Sequence, residues 1–161
     1  MMTKFMSGTV LAAALAFNLA PAFAAAGPFQ PFLGEWRGSG SVVGSNGATE
    51  RINCRATYSG SDAGQSLTQK LVCASDSYKF QIEAYVEASG TSVQGNWQEI
   101  TRQVNGHLTG KVSDGDFSGN VAGPTFSAQL SIRNEGKRQI VEIVPQGADV
   151  KSVSISMTRA G

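Results

Sequence analysis

Apolar residues at every second position limit what this chain can become more than any other feature of its sequence. In YKFQIEAYV, Tyr78, Phe80, Ile82, Ala84 and Val86 share one side, while Lys79, Gln81, Glu83 and the following Glu87 share the other. In VSISMTR, Val153, Ile155, Met157 and Arg159 oppose Ser152, Ser154, Ser156 and Thr158. Only an extended strand sorts residues this way, giving one dry face and one wet face. The pattern recurs along the chain, separated by Gly, Asn, Asp and Ser clusters about ten residues apart, and no helical period survives beyond the first two dozen residues. It predicts ten strands, near 34–43, 48–58, 65–74, 77–88, 91–101, 103–112, 115–122, 125–133, 138–145 and 149–159.

Every connection is short, so neighbours pair antiparallel. A run of such strands leaves two raw edges unless it closes on itself, and the expected fold is all-β, an antiparallel up-and-down barrel of eight to ten strands. The first turn, Ser45-Asn46-Gly47, sets the register. A three-residue loop with Gly47 left-handed pairs Gly40 with Ile52 and keeps Trp36 and Ile52 on the same inner face. Gly38, Gly40, Gly95, Gly106, Gly110 and Gly119 also fall on the dry face, where they either let strands bend around a small barrel or leave room for a guest.

Residues 1–24 read as a cleaved export signal: Lys4, then an apolar run from Phe5 to Ala20, then Ala22-Phe23-Ala24 as a small-x-small cut site. The run is too short and too rich in Ala and Pro for a comfortable membrane span, and no Cys follows it to carry a lipid. A periplasmic or secreted location is expected, with 25–33 a flexible lead-in and 34–161 one barrel domain. Cys54 and Cys73 fit the same compartment: they flank a turn at Ser59–Gly64, so a hairpin there sets them opposite each other as a disulfide. Thirteen Lys and Arg face twelve Asp and Glu, and Lys4 belongs to the leader, so no basic excess remains to attract nucleic acid.

Phe32-Leu33-Gly34-Glu35-Trp36 resembles the F-x-G-x-W signature that opens the first strand of the lipocalins and their calycin relatives. The resemblance implies a calycin-like barrel in which Trp36 plugs one end and an Arg near the end of the last strand, here Arg159, packs across it. Gly34, Trp36, Arg159, Cys54 and Cys73 form the expected structural set. LGEWRGSG is also similar to the start of nitrobindin-type ten-stranded barrels, which hold haem through a His near the C-terminus. The one His, His107, lies elsewhere, on the wet side with Asn105, Thr109 and Lys111. The fold carries over and the haem does not, so no cofactor is expected.

Catalytic constellations fail in turn. An outward His and two paired Cys leave no Ser-His-Asp or Cys-His arrangement, and one His without free thiols gives zinc little to bind. Asp114-Gly115-Asp116 lacks the later ligands of a calcium loop and reads as a tight acidic hairpin. No phosphate cradle or dinucleotide fingerprint occurs. Glu35, Glu83, Glu99 and Glu142 offer carboxylates, but nothing selects a pair among them. No catalytic residue, no metal residue and no enzyme activity are expected. Glu99 shares its face with Trp97, and if indoors it needs a partner, for which an Arg is expected.

The leading functional reading is a barrel holding a small hydrophobic or amphipathic molecule against Tyr58, Gln69, Tyr78, Phe80, Trp97 and Phe126. The alternative is a periplasmic protein-binding or envelope structural barrel with a filled core. Periplasmic metalloprotease inhibitors are calycin-like, carry one disulfide and insert an N-terminal segment into the protease, a part open to Ala25–Phe29. A membrane-inserted barrel is disfavoured, because Arg51, Arg55, Lys79, Glu83 and Glu87 would face its lumen and Arg159-Ala160-Gly161 lacks the usual closing aromatic.

Overall fold

Ten strands follow one another in chain order around a closed barrel in the computed structural model, which describes residues 26–61 and 63–161. They are β1 (Gly34–Gly44), β2 (Thr49–Gly60), β3 (Ser66–Ala74), β4 (Lys79–Ser89), β5 (Ser92–Glu99), β6 (Val104–Ser113), β7 (Asp116–Ala122), β8 (Ser127–Glu135), β9 (Arg138–Gln146) and β10 (Val150–Arg159). Each pairs antiparallel with the next, and β10 returns to β1. The expected leader, 1–24, lies outside the described residues.

Alternation decides which face goes in. Along β2, Ile52, Cys54, Ala56 and Tyr58 are buried, while Arg51, Asn53, Arg55 and Thr57 are exposed. The apolar face is therefore the inner one, the reverse of a barrel bathed in lipid. Among the described residues no helix is long and apolar enough to cross a membrane. The register of the first hairpin matches the three-residue loop: Gly40 pairs with Ile52, the Gly44 N–H donates to the Ala48 carbonyl at 2.8 Å, and Gly47 has φ +82°. Cys54 and Cys73 are direct partners across β2 and β3 and form a disulfide.

The inward glycines answer the choice between bending and empty space. A Cβ at Gly38, Gly40, Gly95, Gly106 or Gly119 would overlap a carbonyl oxygen of the adjoining strand, at Ser156, Ser154, Tyr85, Ala122 and Thr109 respectively. These positions exist for close backbone approach in tightly coiled strands. Aromatic rings then cover some of them: the Phe117 ring lies over the paired Gly110 and Gly119, and the Trp97 indole over Gly106.

Where a flexible lead-in is expected, the structure has a stopper. Gln30–Phe32 form a 3-10 turn, started by Pro31, that drives Phe29 and Phe32 into one end of the barrel, 2% and 1% exposed. The Phe29 N–H donates to the Gly64 carbonyl at 3.3 Å, and a Cβ on Gly27 would collide with that same turn. The segment lacks period two because its Phe residues pack endwise, with ring centroids 6.2 Å apart, and not across a strand. Two strands start two residues later than expected: β4 begins at Lys79 and β8 at Ser127, which leaves Tyr78 and Phe126 in turns.

Candidate functional site

The barrel has a floor, closed by residues 27–33, and a mouth at the other end, formed by the turns that leave β1, β3, β5, β7 and β9. At the floor, Trp36 and Arg159 are register partners, with the guanidinium carbon 4.3 Å from the indole centroid. The Arg159 fork donates Nη2 to the Pro31 carbonyl at 2.7 Å and Nη1 to the Leu33 carbonyl, and the indole Nε1 donates to the Phe32 carbonyl at 2.8 Å. One cation and one indole thus satisfy three backbone oxygens of the stopper, which no strand ladder can reach.

Above the stopper runs a chain of side-chain hydrogen bonds with every donor pointing the same way. Gln69 Nε2 donates to the Tyr58 hydroxyl at 3.3 Å, and that hydroxyl donates to Gln139 Oε1 at 3.0 Å. Gln139 Nε2 donates to Asn134 Oδ1 at 2.8 Å, and Asn134 Nδ2 ends the chain on the Gly115 carbonyl at 3.0 Å. Gln139 is fully buried, so each of its bonds replaces water that cannot enter. Burial pushes the Tyr58 pKa up, against the pull of Gln69 and Gln139, and keeps the phenol a donor.

A partly open space of about 40 Å³ adjoins this chain, bounded by Phe29, Phe32, Tyr58, Gln69, Leu108 and Leu130 among others. It has room for only a few waters, each needing about 10–15 Å³. Larger hollows of about 590 and 570 Å³ lie on the outer wall, beside Tyr85 and Glu87 and beside Ser118 and Glu142. Both are broad and open to solvent, and neither encloses a guest.

The mouth differs from the floor. Phe80, Ile82, Val104, Val121, Phe126 and Ile143 pack against the core but remain half-buried. Trp97 packs at a tilt against Phe126, centroids 5.6 Å apart, and donates Nε1 to the Ala122 carbonyl at 3.2 Å. The six residues expected to line one pocket therefore fall at different heights. Tyr58 and Gln69 border the inner space; Phe80, Trp97 and Phe126 belong to the mouth. Tyr78 lies on the rim of the mouth, half-buried in the β3–β4 turn, its N–H donating to Ser75 Oγ at 2.9 Å.

Glu99 is indoors, 8% exposed, and it has an Arg partner: Arg102 Nη1 lies 3.7 Å from its Oε2. Backbone donors hold it more firmly. Oε1 accepts the Gln81 N–H at 2.9 Å and the Thr101 hydroxyl, and Oε2 accepts the Arg102 N–H at 2.6 Å. Burial favours the protonated acid, but the Thr101, Gln81 and Arg102 donors together outweigh it and leave the carboxyl below its ordinary range. This carboxylate ties down the β5–β6 turn at the rim. His107 points outward, with Nδ1 2.8 Å from Asn96 Oδ1. Among the described residues no three of His, Cys, Asp and Glu gather as a metal site requires. Asp114 and Gly115 form a two-residue hairpin loop with φ +52° and +86°.

The sequence reading misses Gln139 and Asn134. A signal for Gln139 was present: it shares the inward parity of Val141 and Ile143, where an amide must find partners.

No protein family matches the chain by sequence pattern, and no curated protein matches it in sequence. Solved structures do share the fold. Rv2717c from M. tuberculosis superposes with a TM-score of 0.67 at 14% identity, over 89% of this chain and 100% of that one. The S-type phycobiliprotein lyase CPES from Guillardia theta superposes with a TM-score of 0.61 at 12% identity, over 83% of this chain and 90% of that one. The fold is calycin-like, as these likenesses and the closed antiparallel barrel agree.

Proposed function

We propose that this protein is an exported binding barrel, acting in the periplasm or outside the cell, that takes a small apolar or amphipathic molecule through its mouth. One observation carries the reading: inward-facing Phe80, Ile82, Val121, Phe126 and Ile143 stay half-buried at the mouth while the floor is sealed. Water touching those side chains costs free energy that an apolar guest recovers, at about 25 cal/mol per Å² covered. The polar groups lining the inner space are a phenol and a carboxamide, Tyr58 and Gln69, suited to holding a molecule.

A second reading has its own support. The inner space of about 40 Å³ is far below the roughly 300–1,000 Å³ of small-molecule pockets. On that ground the barrel recognises a periplasmic protein partner instead, with the mouth as contact surface and exposed Ile100 on its rim.

Titration with N-phenyl-1-naphthylamine, a neutral apolar fluorophore, separates the two. Ligand binding predicts saturation at one probe per chain and a loss of about tenfold in affinity on Ile143→Asp, which places a carboxylate among the mouth residues. No saturation, together with no small molecule released on solvent extraction of the purified protein, would move the function to the protein-binding reading.

A further inference from the structure

The inner space is lined by apolar side chains with two polar exceptions, Tyr58 and Gln69. The Tyr58 hydroxyl is fully engaged, accepting from Gln69 and donating to Gln139. Gln69 is not: its Nε2 uses one hydrogen on Tyr58, and its Oε1 has no hydrogen-bond partner among the described residues. Since no shielded side-chain nitrogen or oxygen lacks a partner there, that oxygen borders space a water can reach. Gln69 therefore presents one acceptor and one spare donor to the cavity. No charged side chain lines that cavity, and the cation built into the floor, Arg159, is committed to Pro31 and Leu33. Half-buried Leu130 forms part of the cavity wall.

We propose that the guest enters with an uncharged polar group foremost, an alcohol, carbonyl or amide, and seats it against the Gln69 carboxamide, whereas a carboxylate of equal length is turned away. The proposal rests on the binding role given above and specifies which molecules that role admits. The reason is an asymmetry of burial. A neutral group exchanges its water for the Gln69 amide, while a carboxylate leaves water for a cavity that offers no cation.

Calorimetric titration of the purified protein with octan-1-ol and with octanoate at neutral pH tests it. The expected result is octanol binding at least about tenfold tighter than octanoate, a preference that falls to within about threefold in Gln69→Met, which keeps the shape but removes the amide. Gln69→Asn, which keeps an amide but withdraws it by one methylene, should also lose octanol affinity, and it serves if the Met variant does not fold. Octanoate binding as tightly as octanol, or octanol affinity unchanged in both variants, overturns the proposal while leaving the binding role intact. Failure of the unaltered protein to bind either probe overturns both.

Discussion

Arg159 and Trp36 face each other across the seam where the last strand meets the first, guanidinium carbon 4.3 Å from ring centroid. The same guanidinium feeds the carbonyls of Pro31 and Leu33. Arg159→Ala strips both oxygens of their donor and removes the cation from the ring, and should cost about 2 kcal/mol in urea unfolding. Arg159→Lys should restore less than half of that, because an ammonium is a point charge and cannot fork to two carbonyls while covering an indole. A Lys variant as stable as the unaltered protein would show that charge alone holds the seam.

Gly106 tests the coiling of the strands. Its Cβ would overlap the Ala122 carbonyl and come within 2.9 Å of Trp97 Nε1, so Gly106→Ala should destabilise by about 1–3 kcal/mol. Gly90 has φ +62° and nothing near its would-be Cβ, and Gly90→Asn should shift stability by no more than about 0.5 kcal/mol. Thermal unfolding of the two variants side by side reads the contrast.

Glu99 makes stability depend on acid. Its folded-state pKa lies below the ordinary value of 4.5, so the carboxylate stabilises the fold fully above that value. That contribution fades as pH falls from about 4.5 through the folded-state pKa. Glu99→Gln should therefore be less stable than the unaltered protein at neutral pH, and the gap should narrow as the solution is acidified below pH 4.5, followed by urea midpoints. A constant gap across that range would show that Glu99 acts by shape alone.

The disulfide joins β2 and β3 across a sequence separation of 19. Replacing both Cys54 and Cys73 with Ala should cost about 3 kcal/mol while leaving the far-ultraviolet spectrum of the barrel in place. Equal stability of the double variant and the oxidised protein would mean that the register of β2 and β3 already confines the loop.

Period two made the barrel legible, since it assigns each residue to the inside or the outside, and the Cys54–Cys73 and Gly40–Ile52 pairings followed from turn positions. Parity says nothing about height. Tyr58 and Phe80 share the inner face but lie toward opposite ends, because the stagger of strands around a barrel sets which residues share a level. The proposed pocket residues therefore separated into a floor group and a mouth group. The Gln69-to-Gly115 relay spans β2, β3, β8 and β9, and partner choice at that range leaves no local mark. The burial of Phe29 and Phe32 in the floor left no periodic mark, because a short 3-10 turn with Pro31 has neither strand nor helix period.

Pairing the first strand with the last has a consequence for how the molecule is made. A chain still emerging from the ribosome has no β10 with which to lock β1. Until Arg159 arrives, the indole of Trp36 and the carbonyls of Pro31 and Leu33 wait unmatched, so the ring snaps shut only after β10 is delivered.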